Sequence, residues 1–248
     1  MTKLVGILNI TPDSFSDGGQ NDSAEIAVKR AEEMFNEGAS IVDVGAESTR
    51  PGAEAIGWRE ETARLAGFMA CAESSDWSIS LDTYHPETIR WASRRLSSFI
   101  INDVTGFRDG AMRRAAAVTG NKVVVSHLPK ASLSIQDAHR RKPVASVGQV
   151  VEELRRAVGR LTEAGVDPDK IIVDPGIGFG KSPELNWELL RFGLYMPGYE
   201  VMVGYSRKKF LGEDRMDIET NRLAGKIAIE AGAGYLRVHD VEGHASLI

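Results

Sequence analysis

The sequence has little of several things that define other classes of protein. It contains a single cysteine, Cys71, which excludes an intrachain disulfide and any metal site built from several cysteines. No stretch approaches the roughly 20 consecutive apolar residues that a membrane-spanning helix needs. The apolar run at the N-terminus is too short for a secretory signal peptide. We therefore expect a cytoplasmic protein that does not bind membranes.

An excess of positive charge is also missing. The net charge is −5, so the chain as a whole provides no attraction for nucleic acid, and we expect no nucleic-acid partner. No stretch rich in proline, glycine or serine divides the 248 residues, of which 42% are hydrophobic and 26% charged. These values are ordinary for a globular protein, and we predict one domain that spans residues 1–248.

Short apolar runs do recur along the chain, and they are typical of buried strands. There are eight of them: LVGIL, SIVDV, SISLD, FIIND, KVVVS, KIIVD, EVMVG and GYLRV. Amphipathic segments that are typical of helices lie between most of them. One covers residues 22–39, with Asp22 or Ser23 as its N-cap, and a longer one covers residues 144–165 and ends at Gly165. Further helical stretches are predicted at about residues 57–73, 86–95, 110–119, 183–195 and 218–231.

Strand and helix alternating eight times in a chain of this length predict an α/β fold, namely a single-domain (β/α)8 TIM barrel. A doubly wound open sheet is the alternative. The predicted strands share one property, since a polar or charged residue stands at or just beyond each carboxyl end. These residues are Asn9, Asp43, Asp82, Asn102, Ser126, His127, Asp174, Ser206, Arg237 and His239. A barrel gathers all of these ends on one face, where barrel enzymes have their active sites.

The residue types in this ring indicate which ligand it suits. Asp82, Asn102 and Asp174 together offer acceptors and an amide that match a flat heterocycle with adjacent N–H donors. Arg237 and His239 would suit an anion such as diphosphate. Asn9, with its hard oxygen ligand, could contribute to a Mg²⁺ site beside such an anion. The structural alternative for each aspartate is a salt bridge that serves only stability.

The glycine-rich stretch DPGIGFGKS, residues 174–182, does not match a phosphate-binding P-loop, because Pro175 stands where the first glycine is required. Its glycines could still let a flat ligand approach the backbone closely. No Ser-His-Asp arrangement with nucleophile-elbow spacing is present.

Five segments resemble the signature motifs of the dihydropteroate synthase family, and they occur in that family's order. They are GILNITPDSFSDGG, VDVGAESTRPGA, DPGIGFGK, GYSRKKFLG and LRVHD. The resemblance extends from Val5 to about Asp240. It implies a pterin-binding (β/α)8 barrel, usually a homodimer, that takes two small-molecule substrates, dihydropterin diphosphate and 4-aminobenzoate. The family condenses 6-hydroxymethyl-7,8-dihydropterin diphosphate with 4-aminobenzoate to give dihydropteroate and diphosphate in folate biosynthesis. Because a sulfonamide mimics aminobenzoate, the resemblance also implies inhibition by sulfonamides.

The resemblance implies a role for individual residues. It implies that the pterin is bound by Asp82, Asn102, Asp174, Lys208 and Gly178. It also implies that diphosphate is bound by Arg237, His239 and Asn9, and that Asn9 is a Mg²⁺ ligand. The aminobenzoate pocket falls to Phe15, Thr49, Arg50, Pro51, Phe179 and Ser206. The catalytic residues implied are Asp43, Asp82, Thr49 and Arg50, with Asp43 near the reacting carbon. The two aspartates would stabilise positive charge on the pterin.

Two other functions stay open. One is a pterin methyltransferase of the methyltetrahydrofolate type, which shares the barrel and the pterin site but does not need the TPDSFSDGG and ESTRPG loops. The other is a non-catalytic pterin-binding paralogue. The chain ends about eight residues after the eighth predicted strand, which is short for a closing helix of about 11 residues. We therefore expect the last seam of the barrel to depend on a partner chain.

Overall fold

The computed structural model describes residues 1–11, 20–48, 54–130, 132 and 144–248; for residues 20–23 it describes the backbone alone. Strands alternate with helices from one end of the chain to the other. The strands are β1 (Lys3–Asn9), β2 (Ile41–Gly45), β3 (Ile79–Asp82), β4 (Ile100–Asp103), β5 (Lys122–Ser126), β6 (Ile171–Asp174), β7 (Glu200–Val203) and β8 (Tyr235–Val238). The helices are α1 (Gln20–Asn36), α2 (Trp58–Ala72), α3 (Pro86–Ala92), α4 (Gly110–Thr119), α5 (Val147–Glu163), α6 (Pro183–Leu189), α7 (Ile218–Glu230) and α8 (Glu242–Ala245).

The strands are all parallel and form a closed barrel in chain order. This confirms the predicted (β/α)8 TIM barrel and excludes the alternative fold, a doubly wound open sheet. The seam is closed by the chain itself, because β8 pairs with β1 from Lys3↔Tyr235 to Gly6↔Val238. The expectation that a partner chain would be needed there is wrong. Four residue pairs between β1 and β8 form the seam, and the helix that follows, α8, has four residues.

The helices lie in the predicted segments, and several of their ends differ from the predicted boundaries. Helix α1 begins at Gln20, before the expected cap at Asp22 or Ser23. Helix α3 ends at Ala92, three residues earlier than expected. The stretch predicted as one helix over residues 183–195 is α6 followed by a separate 3-10 turn, Phe192–Leu194. By contrast, α5 is capped by Ser146 and is followed by Gly165 at φ +98°, as a helix end favours.

The core has two parts because side chains alternate along each strand. Leu4, Val42 and Val125 belong to the larger cluster, which includes helix residues such as Phe68 and Leu154 and so lies between strands and helices. A second, smaller cluster lies inside the barrel and contains no helix residue. It closes the barrel interior with apolar side chains, as is usual for this fold. None of the described helices is long and apolar enough to cross a membrane.

The 3-10 turn after α6 passes close to a distant backbone carbonyl, and this close approach can be tested. A Cβ on Gly193 would lie 2.1 Å from the carbonyl oxygen of Ala231, so Gly193→Ala must displace backbone. We expect it to lower the free energy of unfolding by about 1–3 kcal/mol in urea titrations. The matched control is Gly159→Ala, within α5, where nothing lies within 4 Å of the added methyl. That variant should be as stable as the wild type or gain up to about 1 kcal/mol. Equal effects of the two substitutions would contradict the steric explanation.

Candidate active site

The inward positions of the strands form an apolar layer and, above it, a polar layer. The apolar layer is the cluster Val5, Ile41, Val124, Ile172, Met202 and Tyr235, with Ile100 packed against it. Two residues further along five of these strands stand Asp43, Asn102, Ser126, Asp174 and Arg237. Because side chains at i and i+2 point the same way from a strand, these five project into the barrel mouth, at the carboxyl ends of the strands.

The same periodicity excludes His127 from the mouth. It follows Ser126 directly, so its side chain points outward toward α5. Its Nε2 lies 3.1 Å from Oε2 of Glu153, and burial lowers the pKa of His127 to about 4. The expectation that this residue joins the ring is therefore wrong, and the position of a residue along its strand was the signal that could have shown it.

Arg237 is the centre of the polar layer. Its Nε donates to Oδ2 of Asp43 at 2.5 Å, and its Nη2 donates to Oδ2 of Asp82 at 2.7 Å. The amide of Asn102 also donates to Oδ2 of Asp43, at 3.1 Å. Asp43 is fully buried, whereas Arg237 keeps 19% of its side chain exposed toward the mouth. The predicted residues Asp43, Asp82, Asn102 and Arg237 thus form one hydrogen-bonded group.

Burial and charge oppose each other within this group. Burial raises the pKa of Asp82 to about 7, against the attraction of Arg237, which acts to lower it. For Arg237, burial lowers the pKa, but the attraction of Asp43 and Asp82 outweighs it and the pKa is raised. The guanidinium is therefore charged at every physiological pH, while the carboxyl of Asp82 titrates near neutral pH.

A second charged group, made of Asp174 and Lys208, lies beside the first. Burial raises the pKa of Asp174, and the ammonium of Lys208 acts against that rise. Burial lowers the pKa of Lys208 to about 8, and the attraction of Asp174 acts against that fall. Asp174 accepts a hydrogen bond of 2.7 Å from the amide of Gly176, and Lys208 donates to the carbonyl of Ile177 at 2.6 Å.

The glycine-rich loop after β6 borders this second group. Gly178 has φ +89°, and a Cβ there would lie 3.3 Å from Cδ of Lys208. The ammonium of Lys208 also lies 5.4 Å from the ring centre of Phe179. The predicted residues Asp174, Gly178, Phe179 and Lys208 are therefore brought together at one side of the mouth.

Ser206 and His239 form a third contact at the mouth. The hydroxyl of Ser206 lies 3.1 Å from Nδ1 of His239 and accepts a hydrogen bond of 3.2 Å from its backbone amide. Strand β8 ends at Val238. His239 is therefore the first residue beyond the strand, whereas we had expected it to lie on the strand with Arg237. Asn9 is the last residue of β1 and is half-buried. The predicted residues Phe15, Thr49, Arg50 and Pro51 lie outside the described residues.

Sequence reasoning missed two residues that shape the loop after β6. The ammonium of Lys181 donates to the carbonyls of Gly176 and Phe179 at 2.8 and 2.9 Å, and burial lowers its pKa to about 7. The side chain of Asn186, on α6, accepts a hydrogen bond of 2.8 Å from the amide of Gly178. The lysine at the end of DPGIGFGK was a visible signal, because a cation can bind several carbonyls of a tight loop.

A buried network at the carboxyl ends of β2 and β3 was also missed. Glu47 is 8% exposed, accepts a hydrogen bond from the hydroxyl of Tyr84 and lies 3.4 Å from Nε2 of His85. The carboxylate of Glu47 raises the pKa of His85, against burial, which lowers it. With Glu61 these residues are the one group of three acidic or histidine side chains, within the described ranges, that are close enough to hold a metal. Asn9 does not belong to it.

A closed parallel barrel with charged, buried side chains at the carboxyl ends of its strands defines an enzyme of the TIM-barrel class. The chain matches the family model described as pterin binding enzyme over residues 5–239. It is 38% identical to dihydropteroate synthase of Escherichia coli K12, over 96% of this chain and 86% of that protein.

Solved structures agree with this match. A Clostridium difficile dihydropteroate synthase crystallised in the presence of pteroic acid has a TM-score of 0.88 and 32% identity, over 99% of this chain and 93% of that one. A Xanthomonas albilineans dihydropteroate synthase with 4-aminobenzoic acid has a TM-score of 0.87 and 33% identity, over 99% and 90% of the two chains. The chain belongs to the pterin-binding enzyme family. Its relatives there are dihydropteroate synthases, which confirms the predicted family and the predicted transferase activity in folate biosynthesis.

The position of Arg237 between two carboxylates leads to a prediction about stability. Arg237→Met leaves Asp43 and Asp82 without their cation, and we expect a loss of about 3–5 kcal/mol in the free energy of unfolding at pH 8. The loss should be smaller at pH 6. Arg237 acts to lower the pKa of Asp82, which is about 7 in the folded protein, so removing the arginine raises that pKa further. At pH 6 the carboxyl of Asp82 is mostly protonated and gains little from the arginine. As the pH rises through about 7 this carboxyl ionises in the wild type, and the variant lacks the stabilisation that the arginine gives to its charge.

Denaturant titrations at the two pH values measure this difference. The control is Arg156→Met, which removes an exposed pair with Glu152 and should change stability by less than about 1 kcal/mol at either pH. A pH-independent loss in Arg237→Met would show that the arginine contributes packing rather than charge.

Proposed function

We propose that this chain condenses 6-hydroxymethyl-7,8-dihydropterin diphosphate with 4-aminobenzoate, releasing diphosphate and 7,8-dihydropteroate. The observation that carries the proposal is the pair of charged groups in the barrel mouth, Asp43–Arg237–Asp82 and Asp174–Lys208. The relatives crystallised with pteroic acid and with 4-aminobenzoic acid support the choice of substrates.

Pterin recognition is assigned to the acceptors of the mouth. A pterin carries an amino group beside ring N–H donors, and a carboxylate accepts two such parallel bonds. Asp174, buried and held by the amide of Gly176, offers a fixed acceptor of this kind. Asn102 supplies a mixed donor and acceptor, and the ammonium of Lys208 supplies a donor for a ring nitrogen or the ring carbonyl.

The reaction separates charge, and the mouth holds charges of both signs. Breaking the bond between the pterin methylene and diphosphate leaves a cation delocalised into the ring, which Asp43 and Asp82 would stabilise electrostatically. Arg237 has five N–H donors, and its bonds to the two aspartates leave donors for an oxygen of the departing anion. One guanidinium would thus connect the carboxylates to the diphosphate. The arylamine is neutral near pH 7 and attacks the cation without a strong base.

The remaining diphosphate ligands and the metal are part of the same proposal. His239 would donate to the anion from its Nε2, since its Nδ1 faces Ser206. Asn9, at the end of β1, offers one hard amide oxygen, which suits Mg²⁺ when phosphate oxygens and waters supply its other ligands. Bound there, Mg²⁺ would neutralise charge on the diphosphate. The roles of Phe15, Thr49, Arg50, Pro51, Phe179 and Ser206 toward aminobenzoate stay predictions, as does the cytoplasmic location.

We also propose a homodimer. Large apolar side chains are exposed in the last quarter of the chain, among them Leu194, Met216 and Leu223, each more than half exposed. A contiguous patch of such side chains would favour association, and the family resemblance is what supports the dimer. Sedimentation velocity should give about twice the mass of 27.0 kDa for the purified protein, and a monomer at micromolar concentration would contradict the proposal.

The activity is tested by measuring dihydropteroate and diphosphate formed from the two substrates, with Mg²⁺ and with EDTA. Asp174→Asn should lower kcat/KM for the pterin substrate by roughly 10- to 100-fold, because a charged acceptor for pterin N–H groups is lost. The matched control is Asp167→Asn, an exposed cap before β6 where asparagine serves as well.

Asp167→Asn should leave kcat/KM unchanged. Diphosphate release without dihydropteroate would contradict the condensation, and tight pterin binding without turnover would leave a binding paralogue. Equal activity of the two variants would remove Asp174 from the pterin site.

A further inference from the structure

The loop that follows β7 contains a backbone conformation that is unusual for its residue type. Arg207 has φ +59°, in the left-handed region that residues with a side chain adopt at an energetic cost. Its neighbours on both sides belong to the site, since the hydroxyl of Ser206 contacts His239 and the ammonium of Lys208 binds the carbonyl of Ile177. The conformation of Arg207 therefore sets where two site residues lie.

A buried side chain binds the backbone at this position, in addition to the turn bond from the amide of Lys208 to the carbonyl of Tyr205. Asn221, on α7 and 3% exposed, accepts a hydrogen bond of 2.9 Å from the backbone amide of Arg207. Its own amide group donates to the carbonyls of Arg215 and Asp217, at 2.9 and 2.7 Å. One carboxamide thus connects the loop after β7 to the segment that leads into α7.

The chemistry of this position requires an amide. The N–H of Arg207 faces the buried side chain of Asn221, and leaving it unpaired there would be costly, so an acceptor is needed on one side of the Asn221 side chain. The two carbonyls on the other side need a donor. A hydrocarbon side chain provides neither, and aspartate provides the acceptor only.

We propose that Asn221 is a positioning residue for the transferase reaction. It holds Arg207 in the left-handed conformation and so places the ammonium of Lys208 beside Asp174, and the hydroxyl of Ser206 beside His239. The inference rests on the proposed function, because it concerns how well the mouth binds the pterin diphosphate. Asn221 itself is buried on α7, and its side chain hydrogen-bonds to the backbone of Arg207, Arg215 and Asp217.

A double-mutant cycle separates positioning from simple stabilisation. Asn221→Ala should raise the dissociation constant for the pterin substrate and lower kcat, with a combined loss of about tenfold or more in kcat/KM. Arg207→Gly should be close to wild type, because glycine adopts positive φ without cost and the Arg207 side chain is exposed. In the Arg207→Gly background, Asn221→Ala should cost about threefold or less.

The decisive readout is whether Arg207→Gly reduces the loss of activity that Asn221→Ala causes. The bonds to Arg215 and Asp217 are lost to the same extent in both backgrounds, so a role confined to the start of α7 predicts the same loss in each. Equal losses, measured as kcat/KM and as equilibrium pterin binding without aminobenzoate, would overturn the proposal. Thermal unfolding of all four proteins confirms that each is folded at the assay temperature.

A second variant covers the case in which Asn221→Ala does not fold. Asn221→Asp keeps the acceptor for the amide of Arg207 and removes both donors, so pterin binding should stay within about threefold of wild type although stability falls. A loss of pterin binding by tenfold or more in folded Asn221→Asp would contradict the inference. Failure of the wild type itself to form dihydropteroate would instead overturn the proposed function, so the two failures are distinguishable.

Discussion

The arrangement of the barrel mouth depends on one guanidinium between two carboxylates. Asp43 is fully buried, and an ionised carboxylate there would be costly without a cation beside it. Arg237 supplies that cation at 2.5 Å and reaches Asp82 with a second nitrogen. Because these groups come from β2, β3 and β8, the bonds also connect strands on the two sides of the β1–β8 seam. Electrostatics and barrel closure therefore support each other.

The same ion pairs prepare the site for a reaction that separates charge. A protein that stabilises a pterin cation needs negative charge near the ring, and one that releases diphosphate needs positive charge near the leaving group. Holding both in a preformed group avoids reorganisation when the charges develop. Each charge compensates the other in the unliganded protein, so the carboxylates and the guanidinium can stay buried before substrate arrives.

The loops that complete the mouth are held by side chains that bind their backbone. Lys181 and Asn186 bind the backbone of the loop after β6, and Asn221 binds the backbone of the loop after β7. The loop after β6 follows Asp174 directly, and the loop after β7 contains Lys208. Backbone shape in both loops includes positive φ angles, at Gly178 and at Arg207. Buried amides and an ammonium keep those conformations in place, since water cannot substitute for them in the interior.

Much of the fold could be predicted from the sequence by local physics. Apolar runs of four or five residues give buried strands, periodic apolar positions give α5, and the repetition of both gives the barrel. Residues two positions beyond the apolar layer of the barrel interior, such as Asp43 and Asp174, could be predicted to face the mouth. The alternation of side chains along a strand is a local property. The close approach of Gly193 to the distant carbonyl of Ala231 could not be predicted, since it depends on tertiary packing.

What the tertiary structure alone decided is which groups meet. The sequence by itself determined the strands, the helices, the polar character of the strand ends and, through its motifs, the family. Nothing local indicates that Arg237 pairs with Asp43, 194 positions away, or that Glu153 is the partner of the outward-facing His127. Nor could spacing show that Asn221 holds the amide of Arg207. Those contacts form only when the closed barrel brings distant strand ends together, because hydrogen bonds act over about 3 Å whereas sequence patterns report a single element at a time.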